Sequence, residues 1–385
     1  MKQINWSHSL VIGSESSKDL RAVGNTGMIS AGTATIYRKF YQGLNYRLRG
    51  FRGGRWASHC RPVSIGFLLT DLCNARCVHC DIWKNKGKPD SPTVEQWKTV
   101  ISDLRHWLGP VSIYFSGGEA LLVPYAIDLV AFASKVGLFV ELLTHGYWDD
   151  QARIERLALA NPGRITISLD GIGEIHTKIR GREGFFEATA NSIRTLQRVR
   201  QQHRLGFVIR LKHVIMSQNL GQAAEVARFA QQDGMEVFFQ PIEQNYNTPE
   251  DPLWFKHSEN WPRDVNRAVA SVEELISLKR QGLPIANSYQ QLEVMLPYFR
   301  DPDALRIAVT QHSAHESHAL CDALTSIEIR PNGDVFPCPG MPPAGNIKQT
   351  NIREIWEGRS PWWQSGCCRE RRCSEREKSV VAPLI

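Results

Sequence analysis

Residues 63–80 read VSIGFLLTDLCNARCVHC. The opening run, VSIGFLL, is short, apolar and rich in β-formers, which is the pattern of a buried strand. Directly after it, Cys73, Cys77 and Cys80 fall in the spacing C-x3-C-x2-C. A structural zinc site takes four ligands and disulfides use thiols in even numbers. Three thiolates instead leave one position of a metal centre open. Cysteine thiolates are the usual ligands of iron–sulfur clusters, and a four-iron cube takes four ligands. One iron would then remain free for something else. The competing reading is half of a zinc site completed from elsewhere in the chain.

Outward from that stretch the same kind of strand recurs. VSIYFSGG (111–118), LFVELLTHG (138–146), RITISLDG (164–171), LGFVIRLKHVI (205–215) and MEVFFQPI (235–242) are short apolar runs. Between them lie helix-like stretches such as TVEQWKTVISDLRHWL (93–108), PYAIDLVAFASKVG (124–137), SIRTLQRVRQQ (192–202) and NLGQAAEVARFAQQDG (219–234). Alternation of strand and helix predicts a parallel sheet of βα units. Six units fit within residues 63–243, so the fold class is α/β, a partial or complete barrel. Its chemistry belongs on the loops after the strand ends, where the three cysteines stand.

The cysteine loop, with His79 before its last thiol, resembles the signature of the radical S-adenosylmethionine (radical SAM) enzymes. Three further stretches carry the resemblance, each at a strand end and in the family's order. Ser116-Gly117-Gly118-Glu119 resembles its GGE motif, which implies backbone and carboxylate contacts to the methionine amino group. Thr144-His145-Gly146 stands where the family has Thr-Asn-Gly, with His145 in place of the usual Asn. ISLDGIGEIHTKIRG (167–181) resembles the motif of the fourth strand. It implies Ser168 and Asp170 near the cofactor's ribose and carboxylate, and Arg180 as a salt-bridge partner of that carboxylate. The resemblance covers residues 63 to about 243 and implies a partial (βα)6 TIM-like barrel. It also implies a [4Fe–4S] cluster on Cys73, Cys77 and Cys80 whose fourth iron chelates S-adenosylmethionine. Reductive cleavage of the cofactor would give a 5′-deoxyadenosyl radical that abstracts hydrogen from a substrate C–H bond. The cofactors carry the hard chemistry and the protein supplies position and a dry cavity.

A second cysteine group, Cys321, Cys338, Cys367, Cys368 and Cys373, lies in a segment poor in core residues, which usually needs metal to hold it. Its spacing resembles the superfamily's C-terminal auxiliary-cluster domain (SPASM or twitch type), here with cysteines for one additional [4Fe–4S] cluster. The resemblance implies Cys321, Cys338 and Cys373 as ligands, with either Cys368 or Cys367 as the fourth. A zinc knuckle is the alternative. Gly333 reads as a hairpin turn between two short strands. His312, His315 and His318 recur every three residues on a polar segment, a spacing more often incidental than metal-binding.

The nine cysteines are odd in number and unevenly placed, which suits a reducing compartment rather than a secreted disulfide framework. Cys60 stands apart and reads as a core thiol. Neither a secretory signal nor an apolar membrane span is legible, so the expectation is a cytoplasmic protein, at most peripheral to a membrane. The net charge of +7 is concentrated in residues 38–61, which hold seven Arg or Lys and no acid. Tyr37, Phe40, Tyr41, Leu44, Leu48 and Phe51 recur there at helical spacing, a basic amphipathic helix. Residues 37–61 are therefore a candidate contact for an acidic partner or anionic lipid, while nucleic acid is unsupported because no binding module accompanies the charge.

The chain divides into an N-terminal extension (1–62), the radical SAM barrel (63–243), a linker or lid with helices (244–319) and the auxiliary-cluster domain (320–385). The expected reaction is oxidation or epimerisation of a small metabolite or sugar, with an electron donor such as flavodoxin or ferredoxin. Maturation of a ribosomal peptide or modification of a lipid or polyprenoid by the same chemistry is the alternative. From a different class comes a non-catalytic iron–sulfur or zinc protein.

Overall fold

The computed structural model describes residues 29–50, 59–87, 89–249, 251, 253–302, 325–337 and 342–359. Helix α1 (Ala31–Gly50) leads into strand β1 (Ser64–Leu68), followed by α2 (Val94–Leu108), β2 (Ser112–Ser116), α3 (Ala126–Lys135), β3 (Phe139–Thr144), α4 (Gln151–Leu159) and β4 (Arg164–Ser168). Two helices, α5 (Glu174–Arg180) and α6 (Phe185–Gln202), precede β5 (Val208–Ile215), and α7 (Ala223–Gln232) precedes β6 (Glu236–Pro241). Each of these six strands pairs in parallel with the next in chain order. The expected α/β architecture of a partial (βα)6 barrel is therefore present.

Among the described residues the sheet does not close. Beyond β6 its edge is met by the loop after α8 (Val265–Arg280), where Val237 N donates to Pro284 O and Ala286 N to Val237 O. The Asn287 side chain completes the cover by bonding both backbone groups of Phe239 at 2.8 Å. Two short helices, α9 (Tyr289–Glu293) and α10 (Met295–Arg300), follow. On the opposite side β7 (Ser326–Ile329) pairs in parallel with β1 and continues antiparallel into β8 (Asp334–Phe336) and β9 (Gly345–Asn346). Both exposed backbone edges of the barrel half are thereby satisfied. The β7–β8 turn carries Gly333 at φ 89°, a left-handed conformation suited to glycine.

Alternation along each strand separates two environments. One face buries Ile65, Phe67, Ile113, Phe115, Val140, Leu142, Ile165, Ile167, Ile209, Leu211, Val237 and Phe239 against the helices in a continuous core. Helix α2 shows why its residues fold as they do. Trp97, Val100, Ile101, Leu104 and Leu108 make one buried stripe, and Thr93 with Gln96 forms a reciprocal cap at its start. The other sheet face looks into the barrel and carries the charged and polar strand residues beside Leu143, Val214 and Phe238. At the N-terminal end of the strands Arg164 pairs with Glu141 (3.2 Å) and Glu236 (3.3 Å), Arg210 pairs with Glu236 (2.6 Å), and Thr166 Oγ1 donates to Glu141 (2.5 Å). This ionic plug fills the barrel floor and leaves the opposite end for the site.

The predicted basic helix exists as α1. Its Tyr41 hydroxyl donates to Leu108 O at 2.9 Å and Asn45 bonds the backbone of Arg61, while Ile36 (68%) and Phe40 (63%) stay exposed. Cys60 is fully buried, and Trp356 of the last described helix, α11 (Ile352–Gly358), donates to its carbonyl at 2.8 Å. Among the described residues, no helix is long and apolar enough to cross a membrane.

Candidate active site

The three-cysteine loop crosses the C-terminal ends of the strands and is clamped on both sides. From α5, the carbonyls of Arg180 and Ile179 accept from Arg76 N and Val78 N at 3.0 Å. From the segment after β6, Asn245 and Asn260 side chains donate to Val78 O, and Asp81 N donates to Tyr246 O. Beneath the loop run Gly117 and Gly118. A Cβ on Gly117 would stand 2.4 Å from Thr70 O, and one on Gly118 would stand 2.3 Å from Leu72 O. Those same carbonyls receive Gly118 N (2.7 Å) and Glu119 N (2.9 Å), so the glycines let two backbones touch.

Glu119 turns from this crossing into the interior and is 2% exposed. Its carboxylate accepts from Leu121 N (3.0 Å), Thr144 Oγ1 (2.9 Å) and His145 N (2.9 Å), joining the ends of β2 and β3. Burial pushes its pKa up to about 7, against the pull of those donors. His145, the departure from the family's Asn, reaches back to the cysteine loop. Its Nδ1 accepts from Tyr147 N (3.0 Å), which leaves Nε2 to donate to Asn74 Oδ1 (2.7 Å). The ring stacks on Trp148 with centroids 5.8 Å apart, and burial holds it neutral by lowering its pKa.

From β4 and α5 comes a second buried link. Asp170, fully buried, accepts from Val214 N (3.0 Å) and pairs with Arg180 at 2.5 Å. Although burial works the other way, Arg180 holds the Asp170 carboxyl well below its ordinary range. Arg180 extends its other nitrogen to Cys77 Sγ at 3.5 Å. Burial raises all three thiols, Cys73 and Cys80 up to about 12, against the pull of backbone N–H groups and, at Cys77 and Cys80, of the Arg180 guanidinium.

These groups border one cavity. Of the residues expected to contact cofactor, His79, Gly117, Gly118, Glu119, Thr144, Ser168 and Arg180 line it together with Cys73, Cys77 and Cys80. Asp170 does not; it stands one layer behind, orienting Arg180. Among the described residues, no three ligating side chains gather tightly enough to hold a single metal ion, and the three sulfurs instead border a shared space. That donor set, three thiols with no fourth cysteine among the described residues lining the cavity, fits a polynuclear cluster with one site left open. The backbone of 116–119 and Arg180 lie on the same wall, where a ligand's polar groups would be held. Cys321, Cys338, Cys367, Cys368 and Cys373, and with them His312, His315 and His318, lie outside the described residues.

Sequence reasoning missed the far wall: Lys212 from β5, Gln240 from β6, then Glu243, Gln244 and Tyr246. No motif marks them. The signal available was a charged residue inside an otherwise apolar run, as in VIRLKHVI, where alternation points Arg210 and Lys212 to the barrel interior.

Comparison with known proteins agrees with this geometry. Residues 67–216 match the family model of the radical SAM superfamily, and residues 321–376 match an iron–sulfur cluster-binding domain, SPASM. The chain belongs to the radical SAM superfamily. It is accordingly an enzyme whose cofactors are a [4Fe–4S] cluster, S-adenosylmethionine and, through its SPASM domain, additional iron–sulfur chemistry. An AdoMet-dependent heme synthase of Methanosarcina barkeri is 27% identical over 77% of this chain and 82% of its own length. The antilisterial bacteriocin subtilosin biosynthesis protein AlbA of Bacillus subtilis is 24% identical over 80% of this chain and 65% of its own. Shorter matches include a sporulation killing factor maturation protein, a mycofactocin maturase and a PqqA peptide cyclase. Streptococcus suis SuiB bound to S-adenosylmethionine shares the fold, with TM-score 0.56 at 15% identity over 77% of this chain and 65% of that one.

Proposed function

We propose that this radical SAM enzyme modifies a peptide, abstracting hydrogen from one of its C–H bonds. The observation that carries the reading is the run of peptide-maturing relatives, of which AlbA aligns along 80% of the chain. The relatives thus favour the peptide over the small metabolite or sugar that the sequence first suggested. When bound, the cluster supplies the electron that cleaves S-adenosylmethionine to methionine and a 5′-deoxyadenosyl radical. The chain's own part is to hold the cysteine loop rigid from both flanks, to keep Arg180 aimed by Asp170, and to enclose the reacting groups. The proposed [4Fe–4S] set is Cys73, Cys77 and Cys80; for an auxiliary cluster it is Cys321, Cys338 and Cys373 with Cys368 or Cys367. A flavodoxin- or ferredoxin-type donor is the proposed electron source, and the basic surface of α1 suits an acidic partner of that kind.

A tetrapyrrole substrate is the second reading, favoured by the heme synthase alignment that spans most of both chains. One experiment separates the two. The anaerobically reconstituted enzyme is given reductant, S-adenosylmethionine and either deuterated precursor peptides or a deuterated tetrapyrrole. Deuterium in the 5′-deoxyadenosine formed with a peptide supports the proposal. Label arriving only from the tetrapyrrole replaces it with the second reading.

A further inference from the structure

The cavity has two walls of different character. The wall made by β1 to β4 and α5 is engaged at its carboxylates: Glu119 accepts from three donors and Asp170 pairs with Arg180, while His79 Nδ1 and Arg180 Nε there have no hydrogen-bond partner among the described residues. The wall made by β5, β6 and the segment after β6 is not. Lys212 and Glu243 both line the cavity, and among the described residues neither side chain forms a hydrogen bond or an ion pair within 4 Å. Between their strands Gln240, 8% exposed, also lines the cavity and has its Oε1 without a hydrogen-bond partner among the described residues. A cation, an acid and an amide left open toward one space cost stability unless a ligand completes them.

Their positions are fixed by the sheet. Lys212 lies in register with Ser168 on β4 and Phe238 on β6, and Gln240 lies in register with Val214. Glu243 follows Ile242, whose backbone is held by Ile215 O and by the Tyr298 hydroxyl at 2.7 Å. The charges that act on Lys212 are Glu243, Arg180, Asp170 and Glu141. Arg180 and Asp170 neutralise each other, and Glu141 is committed to Arg164 and Thr166. Among the described residues, that leaves Lys212 as the cation of this wall that is open to an incoming anion. Burial pushes Glu243 up to about 8, so near neutrality it offers an O–H more than a second negative charge.

We propose that Lys212, with Glu243 and Gln240, is a substrate anchor that grips a carboxylate of the molecule presented to the radical, setting which C–H bond stands nearest. A carboxylate fits all three groups at once, accepting from Lys212 Nζ, from the Glu243 hydroxyl and from the Gln240 amide after rotation. In a peptide this is an acidic side chain or a C-terminus close to the modified residue, and the assignment of the carboxylate to a peptide rests on the function proposed above. A tetrapyrrole propionate presents the same chemistry.

The test is titration calorimetry on the reconstituted full chain saturated with S-adenosylmethionine. The probes are acetyl-Gly-Glu-Gly-amide, acetyl-Gly-Gln-Gly-amide and coproporphyrin III. Wild type is expected to bind the glutamyl peptide about tenfold or more tightly than the glutaminyl peptide, as one charge-assisted contact implies. Lys212→Met should erase that preference and Lys212→Arg should keep most of it, which separates loss of the cation from misfolding. If coproporphyrin III binds in a Lys212-dependent way and neither peptide binds, the anchor stands and the peptide reading falls. Equal binding of the two peptides overturns the anchor and leaves the peptide reading intact. A preference unchanged in Lys212→Met overturns the anchor, as does loss of S-adenosylmethionine affinity in that variant equal to its loss of peptide affinity. So does failure of every carboxylate probe to bind.

Discussion

The two walls of the cavity were built under different constraints. Along β1 to β4 both carboxylates and the imidazole after β3 are themselves held: Glu119 by Thr144 and two backbone amides, Asp170 by Arg180 and Val214 N, His145 by Asn74 and Tyr147 N. Along β5 and β6 Lys212, Gln240 and Glu243 face the same space without such support. A wall that must present fixed geometry to a fixed cofactor gains from preorganisation. A wall facing a substrate leaves its hydrogen-bonding capacity for the ligand. The difference suggests where activity can be lost altogether and where it can only be redirected.

The largest effect should follow from the first wall. Cys77→Ala removes a buried thiol whose sulfur meets Arg180, and cofactor cleavage should fall to background while iron bound at the first site is lost. Iron content and 5′-deoxyadenosine yield measured together check this. Turnover persisting with full iron would mean that the three thiols do not share one cluster. Next comes Gly118→Ala. A Cβ placed 2.3 Å from Leu72 O must push the cysteine loop away from the β2 turn, because a backbone carbonyl cannot rotate aside as a side chain can. The cost is a few kcal/mol, roughly the 1–3 of an overpacked site. Circular dichroism should stay native-like while cluster loading drops several-fold.

Asp170→Asn tests the link one layer back. Arg180 loses its counter-charge but keeps its place beside Cys77, so a loss in cofactor affinity of about 10–100-fold is expected, the size typical of outer groups that orient a ligand. An unchanged Kd for S-adenosylmethionine would show that Arg180 needs no such orientation.

How far the sequence revealed this depends on what each residue contacts. The strands were legible because alternation and β-branched runs report burial directly, and the cysteine loop, Gly117-Gly118 and Arg180 were legible because their spacing is shared by a family. Asp170 was read as a cofactor contact because motif position does not distinguish a residue facing the cavity from one directly behind it. Its second carboxylate oxygen accepts from Val214, 44 residues away, and only the fold brings those two together. Lys212 and Glu243 escaped for a related reason. Each is a single charge in a strand or loop, and they become a pair only when β5 and β6 lie side by side. The partnership of β7 with β1 escaped as well, since the intervening 257 positions between Leu68 and Ser326 carry no trace of it.

The smallest effect belongs to the second wall and is read in stability. Glu243 has its pKa raised from the usual 4.5 to about 8 by burial, opposed by Lys212. A carboxyl whose folded pKa lies above its unfolded value binds its proton more tightly in the native state. Its contribution to stability is therefore greatest below about pH 4.5 and declines as the pH rises toward 8, beyond which it falls no further. Glu243→Gln removes that titration and keeps the shape. The variant's melting temperature should thus drop less than that of wild type between pH 5.5 and pH 8.5. Lys212 titrates in both proteins, and its pKa, lowered by burial, is lowered further once the Glu243 charge is gone. A base depressed in this way gains stability as pH rises, which widens the difference in the same direction. Parallel melting curves would mean that Glu243 is well solvated in the cavity, and the second wall would then be less dry than the first.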